Sequence, residues 1–167
     1  DEVARLNRAA VQVARGAVGE DAYIIGDIGS INAGRVRERN MKGFKEQFEE
    51  QASSLLYAGV DALLLETFLD VEELLLALEV IRPMTTKTIV AQLATIEVGL
   101  TRDGYSLTHA FEELKKAGAD VVGLNCRMGP AEILRSLEKT IVPTDLPLSV
   151  FPNAGRLGLS DGEYNYK

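Results

Sequence analysis

The stretch that decides the fold occurs twice in the chain. Residues 58–67 read Ala-Gly-Val-Asp-Ala-Leu-Leu-Leu-Glu-Thr, and residues 117–126 read Ala-Gly-Ala-Asp-Val-Val-Gly-Leu-Asn-Cys. Each copy has the features of a helix end, a glycine stop, a buried strand and a chemically active side chain where the strand ends. The repeated pattern predicts strands that alternate with helices in a parallel α/β protein.

The strand ends favour a β/α barrel. In a parallel barrel the active-site groups lie at the carboxyl ends of the strands, and eight strand-helix units take roughly 250 residues. The glycines at positions 59 and 118 are separated by about two such units. We therefore expect Glu66 and Cys126, which end the two strands, to lie on the same rim.

Composition limits the classes of function. The 167 residues are 46% hydrophobic and 26% charged, which is typical of a globular domain that buries a core. The net charge of −7, without a concentrated basic run, argues against nucleic-acid binding. One cysteine excludes an internal disulfide and fits a reducing cytoplasm. No apolar stretch is long enough to predict a membrane span, and no signal peptide is recognisable.

The chain alternates regularly between helical and strand patterns, and no linker-like composition divides it, so we expect residues 1–167 to form a single domain. Glycine or proline closes several of the helices, and Asp70 is placed to cap the third helix. The remainder after residue 155 is polar and is expected to be loose. The predicted helices are residues 1–15, 42–57, 71–81, 106–117 and 130–139, and the predicted strands are 22–26, 62–66, 88–94, 121–126 and 146–151.

Five parallel strands leave sheet edges that a closed barrel would not have. Either the chain is an open, doubly wound domain of flavodoxin type, or it is part of a barrel whose other strands lie outside it. The start within a helix, with no strand before it, favours a partial TIM (β/α)8 barrel.

Several motifs resemble those of the homocysteine S-methyltransferase family. They are Glu66-Thr67-Phe68 with Asp70 and Glu73, Gly123 to Cys126 with Gly129-Pro130, and the run from Pro147 to Gly155, while Gly26 to Gly29 is similar to the loop of the family's third strand. The family includes the homocysteine barrel of methionine synthase, betaine-homocysteine methyltransferase and bacterial fusions to methylenetetrahydrofolate reductase. The resemblance implies about strands 3 to 7 of 8, in a barrel fragment that lacks the first strands and the last strand.

The resemblance also implies a metal. In the family zinc holds homocysteine as its thiolate, because the cation stabilises deprotonated sulfur. Three cysteines hold the zinc, and Cys126 matches the one at the end of the sixth strand. The adjacent pair near the eighth strand is absent from this sequence. Asn153 resembles a residue that lends its side-chain oxygen to zinc when substrate is absent, although an asparagine that orders its own turn explains it equally well.

The substrate-binding candidates are Glu66, Thr67, Asp27 and Asn125. The family uses the carboxylate that matches Glu66 to hold the amino group of homocysteine, and a salt bridge to a neighbouring loop is the alternative. Asp27 and Asn125 either shape the pocket or satisfy loop amides. Cys126 could also be a small buried apolar residue. His109 is expected on a solvated helix face and has no assigned role.

The sequence thus predicts a zinc-dependent homocysteine S-methyltransferase that makes methionine. A metal-free barrel lyase or synthase using Glu66, and a catalytically silent fragment or interaction module with open edges, remain as alternatives. The methyl donor, cobalamin- or folate-linked among others, would be bound elsewhere. The expected partners are homocysteine and this donor. A downstream reductase or cobalamin domain and a homo-oligomer are compatible with this prediction.

Overall fold

The computed structural model describes residues 2–32, 41–143 and 145–155, and the backbone of 157–160 and 163–166. Helices and strands alternate through most of this range. The helices are α1 (Glu2–Val18), α2 (Phe44–Ala58), α3 (Val71–Ile81), α4 (Leu107–Lys116) and α5 (Pro130–Glu138), with a 3-10 turn at Arg82–Met84. The strands are β1 (Ile25–Gly29), β2 (Ala62–Phe68), β3 (Ile89–Leu93), β4 (Val121–Asn125), β5 (Leu148–Phe151), β6 (Leu157–Ser160) and β7 (Glu163–Tyr166).

The main sheet has a barrel topology. Its strands lie in the order β1-β2-β3-β4-β5 and every neighbouring pair is parallel. In a doubly wound domain the order of the strands reverses at a switch point, and a later strand lies on the other side of the first one. The sequential order confirms the prediction of a partial barrel over the flavodoxin-type alternative.

The hydrophobic core lies between the sheet and the helices. In β1 to β4 alternate residues point to the helical side and are buried, as are Leu63 and Leu65 of β2. Phe48 of α2 packs on Phe68 of β2, with 6.0 Å between ring centroids. The other face of each strand points to the inside of the sheet's curve, where polar residues are more frequent, including Asp27, Glu66, Gln92 and Asn125.

The repeated Ala-Gly-x-Asp segments have the same structure. Gly59 and Gly118 end α2 and α4 in the left-handed region, with φ of 91° and 94°, which favours glycine. Two residues later, Asp61 accepts a 2.7 Å hydrogen bond from the Ile24 amide and Asp120 accepts one of 2.8 Å from the Ile89 amide. An arginine completes each anchor, since Arg15 pairs with Asp61 and Arg82 pairs with Asp120. Each repeat therefore connects two neighbouring strands at their amino ends, β2 to β1 in the first copy and β4 to β3 in the second.

A side-chain contact crosses β4 on the inner face. Gln92 of β3 donates a 2.7 Å hydrogen bond to the Ser149 hydroxyl of β5, and Gly123 lies between them in register. Neighbouring strands are about 4.8 Å apart, so a contact between alternate strands requires both a curved sheet and a small residue on the middle strand. Layers built from alternate strands are characteristic of the interior of a β/α barrel.

Two predicted elements differ from the structure. The first strand is Ile25–Gly29, three residues later than predicted, because residues 19–22 form a turn and Tyr23 is 88% exposed. The sequence pattern predicts that the strand ends at Gly26 and that a loop follows. Pairing with β2 instead extends the strand through Asp27 to Gly29. The segment after residue 155 is not loose throughout, because β6 and β7 pair in antiparallel register. Among the described helices, none combines the length and apolar composition needed to cross a membrane.

We predict that Gly123→Ala destabilises the protein severely. A Cβ at position 123 would lie 1.9 Å from the Ser149 carbonyl oxygen, so the β4–β5 pairing must give way. The expected loss in the free energy of unfolding is at least about 2 kcal/mol, measured by urea denaturation.

Gly29→Ala is the matched control, because it is also a strand glycine and a Cβ there meets nothing within 4 Å. Its unfolding free energy should change by no more than about 0.5 kcal/mol. Equal effects of the two substitutions would show that the close approach of β4 and β5 is not a constraint.

Candidate functional site

The candidate site is built on an irregularity at the end of β2. Leu65 pairs with Ala91 and Phe68 pairs with Leu93, so β2 has one more residue than β3 over this interval. Leu65 and Phe68 are both fully buried on the helical side. Glu66 and Thr67 lie between them, and the β-bulge allows both of their side chains to reach the inner face of the sheet although they are adjacent in sequence.

The Asn125 side chain holds this bulge from β4. Its Nδ2 donates to Glu66 Oε2 at 3.0 Å and to Thr67 Oγ1 at 2.9 Å, and its Oδ1 accepts from the Thr67 amide at 3.0 Å. These bonds use both N–H groups of the amide. Asn125 is 4% exposed and reaches past the end of β3 to make them. Asn125 therefore fixes the carboxylate of Glu66 and also satisfies the backbone amide of Thr67 in the bulge.

Backbone strain is concentrated at the same two strand ends. Among the described residues, those other than glycine with positive φ are Thr67 at 60°, Cys126 at 57° and Arg127 at 54°. A β-branched residue such as Thr67 rarely adopts this conformation, which costs of order 1–3 kcal/mol and persists only where surrounding contacts enforce it. The three bonds between Asn125 and the Glu66-Thr67 pair supply that enforcement.

Asp27 and Glu66 form a pair of carboxyl groups on neighbouring strands. The two side chains lie close enough that each shifts the pKa of the other. Burial raises the pKa of both groups, and the negative charge of Asp27 raises the pKa of Glu66 further. The cluster of Asp27, Glu66, Thr67 and Asn125 therefore has an excess of negative charge that a bound cation would compensate.

Cys126 and Asn153 lie on two adjoining loops. The Cys126 amide donates to the Phe151 carbonyl at 3.0 Å, and the Asn153 amide donates to the Met128 carbonyl at 3.0 Å. Both residues are partly exposed, so Cys126 is not the fully buried apolar residue of the alternative interpretation. Backbone hydrogen bonds thus hold the loop after β4 against the loop after β5. Cys126 follows Asn125 directly and is connected in this way to the Glu66 cluster.

These residues do not form a zinc site by themselves. A catalytic zinc takes three protein ligands and keeps one open position. The described part of the chain has no group of three or more His, Cys, Asp or Glu side chains that could hold a metal. Cys126 is the one cysteine of the sequence, and a thiolate is the type of ligand that zinc prefers.

The role of Asp70 differs from the prediction. Asp70 occupies the N-cap position of α3, but its side chain does not cap the helix. Its carboxylate instead pairs with Arg102, at 2.6 Å and 3.0 Å, in a largely buried ion pair. Asp103 accepts the bond from the first turn of α3, with 3.1 Å to the Glu72 amide. No local pattern in the sequence indicates that Asp103, and not Asp70, accepts this bond, because residues 102 and 103 are some thirty positions away from the start of α3.

The predicted site residues thus fall into two connected groups. Glu66, Thr67 and Asn125 are joined by side-chain hydrogen bonds with Asp27 beside Glu66, whereas Cys126 and Asn153 are joined to their surroundings through backbone amides. His109 is exposed and stacks on Tyr105 with 5.3 Å between ring centroids, as expected for a residue outside the site.

Comparison with known proteins identifies relatives of the chain. It is 32% identical over 127 residues to methionine synthase of Mycobacterium tuberculosis, which covers 72% of this chain and 11% of that protein. It is 31% identical over 136 residues to S-methylmethionine–homocysteine S-methyltransferase BHMT2 of Pongo abelii, covering 80% of this chain and 36% of that protein. The chain therefore spans about a tenth and about a third of these two curated relatives.

A solved structure has the same fold. The apo form of the homocysteine methyltransferase MmuM from Escherichia coli superposes with a TM-score of 0.77 at 21% identity, over 92% of this chain and 61% of that one. A family model described as homocysteine S-methyltransferase matches residues 1–167. The repeated strand ends, the barrel topology and this match together show that the chain belongs to the homocysteine S-methyltransferase family.

Proposed function

We propose that this chain forms the amino-acid-binding part of an enzyme that transfers a methyl group to homocysteine and releases methionine. The observation that carries the proposal is the pair of carboxyl groups at Asp27 and Glu66 on neighbouring parallel strands, in which Asn125 holds Glu66 near the carboxyl end of β2. Family membership supports the same reaction.

The ammonium group of an amino acid matches this pair. Two carboxyl groups with raised pKa values repel each other when both ionise, and a cation between them removes that repulsion. Charge-assisted hydrogen bonds from an ammonium to carboxylates are roughly twice as strong as neutral ones. We propose that Glu66 and Asp27 receive the ammonium, with Thr67 and Asn125 keeping Glu66 in position.

Binding at the nitrogen orients the sulfur for reaction. In the proposed step the homocysteine thiol loses its proton to solvent, and a sulfur lone pair attacks the methyl carbon of the donor. The S–C bond forms as the bond between the methyl group and the donor breaks, and the donor keeps the electron pair. The contribution of the residues described here is to fix the substrate in a reactive orientation, a form of catalysis that lowers the entropic cost of the encounter.

We further propose that Cys126 is one ligand of a zinc site whose other thiolates are not contained in this sequence, and that Asn153 lies beside it. On this proposal the 167 residues are strands 3 to 7 of an eight-stranded barrel in a cytoplasmic protein. Methylcobalamin, a methylfolate, betaine and S-methylmethionine are the donors to test. A metal-free reaction that uses Glu66 as an acid or base predicts that activity survives chelation, whereas methyl transfer through a zinc thiolate predicts that it is lost.

Glu66→Gln should weaken homocysteine binding with a smaller effect on the maximal rate. The amide keeps an oxygen that can accept from Asn125 but loses the charge that pairs with the ammonium. The expected rise in the homocysteine dissociation constant is about 30-fold, measured by calorimetry on the full-length protein.

Glu46→Gln is the control, because Glu46 is an exposed carboxylate on α2 and should leave the affinity for homocysteine unchanged. An affinity that is the same in Glu66→Gln and in the control would contradict the proposed role of Glu66.

The carboxyl pair also predicts a pH dependence of stability. Between the ordinary and the raised pKa values the folded protein binds more protons than the unfolded chain, so the contribution of Asp27 and Glu66 to stability falls as pH rises from about 4 toward neutrality. Glu66→Gln removes the part of this loss that comes from Glu66. Relative to wild type, the variant should gain unfolding free energy between pH 4.5 and 7.5, measured by urea denaturation at each pH. A constant difference across that range would show that the two carboxyl groups are not coupled in the native protein.

A further inference from the structure

Glu73 is a buried carboxylate that the proposed reaction does not use. It belongs to the Glu66-Thr67-Phe68, Asp70, Glu73 motif and lies in the first turn of α3 with 0% exposure. Burial raises the pKa of Glu73, and the nearby charge of Asp70 contributes in the same direction. A carboxylate in such a place is costly unless its hydrogen bonds are satisfied.

The bonds to Glu73 come from the segment that follows β1. Glu73 Oε2 accepts from the Ser30 hydroxyl at 2.7 Å, and Oε1 accepts from the amides of Ile31 at 2.7 Å and of Asn32 at 3.0 Å. One side chain of α3 thus holds three consecutive residues directly after the end of β1.

Asn32 is held from a second direction as well. Its carbonyl accepts from Arg102 at 2.7 Å, and its Nδ2 lies 3.3 Å from Asp70 Oδ2. Arg102 is in turn paired with Asp70. Residues 30–32 are therefore attached to α3 and to the loop after β3. We call this set of contacts, made by Asp70, Glu73 and Arg102 to residues 30–32, the β1 clamp.

The position of β1 gives the clamp its importance. In the described sheet β1 pairs on one side, with β2, and its last residue Gly29 is in register with Glu66. The end of a strand, where its backbone pairing stops and the chain leaves the sheet, opens locally unless something holds it. Asp27 lies only two residues before Gly29, so fraying would move its carboxyl group away from Glu66.

We infer that Glu73 is a positioning residue, which holds the end of β1 so that Asp27 stays beside Glu66 for binding of the amino-acid substrate. This inference rests on the proposed function, because it assigns the Asp27–Glu66 pair to the substrate's ammonium. Glu73 acts through the β1 clamp and does not itself contact the substrate.

The test compares Glu73→Ala with Asp120→Ala in the full-length protein. Asp120 also accepts a hydrogen bond from the backbone amide of another element, but at the amino end of the sheet, away from the candidate site. Both variants should lose stability. Only Glu73→Ala should raise the homocysteine dissociation constant, by about tenfold, with the KM of the methyl donor within about twofold of wild type.

Glu73→Gln keeps the measurement possible if the alanine variant does not fold. Its amide oxygen still accepts from the backbone amides, so we expect a rise of about threefold in the homocysteine dissociation constant, between wild type and alanine. The inference is overturned if the glutamine and alanine variants bind homocysteine as wild type does, or if Asp120→Ala weakens binding equally.

A second measurement needs no substrate. In NMR titrations of the carboxyl carbons of the ligand-free protein, Asp27 and Glu66 should titrate as a coupled pair in wild type and Asp120→Ala, and closer to independent groups in Glu73→Gln. An unchanged coupled titration in Glu73→Gln would overturn the inference. If wild type does not bind homocysteine, the proposed function fails, while this titration still decides whether Glu73 positions Asp27.

Discussion

The site depends on one amide side chain that reaches from β4 to the end of β2. Asn125 forms three hydrogen bonds to the Glu66-Thr67 pair, two through Nδ2 and one through Oδ1. Without these bonds the strained backbone at Thr67 would relax, since a β-branched residue with φ of 60° has no local reason to stay there. The orientation of the Glu66 carboxylate, and with it the coupling to Asp27, follows from this contact.

The amino end of the sheet contributes to stability, and the carboxyl end carries the candidate site. At the amino end, Asp61 and Asp120 join neighbouring strands through matching bonds to backbone amides and to an arginine. At the carboxyl end, the carboxyl pair, the strained residues and Cys126 collect on the rim. In β/α barrels the carboxyl ends of the strands carry the chemistry and the opposite face supports stability. The repeated segment serves both ends, because its aspartate begins a strand and its last residues finish that strand.

The sequence predicted those features that depend on local patterns. The helices from residue 42 onward and strands β2 to β4 were confirmed to within a few residues, because their apolar periodicity and glycine stops are local. β1 was misplaced because Gly26, Asp27 and Gly29 resemble a loop, and pairing with β2 makes them a strand. Sequence resemblance selected Glu66, Thr67, Asp27 and Asn125 together. Their hydrogen bonds, the bulge in β2 and the exchange of capping roles between Asp70 and Asp103 depend on residues far apart in the chain, which no local pattern reports.

The central claim is that Asn125 and Glu66 act as one unit in binding an amino acid. A double-mutant cycle measures this most directly, with homocysteine affinity determined by calorimetry for wild type, Asn125→Ala, Glu66→Gln and the double variant. We predict that the two effects on the free energy of homocysteine binding are strongly non-additive, with a coupling of about 1–3 kcal/mol. Once Glu66 has lost its charge, removal of Asn125 should weaken binding only a little further. Additive effects to within about 0.5 kcal/mol would contradict the account, since they would show that the amide does not position the carboxylate.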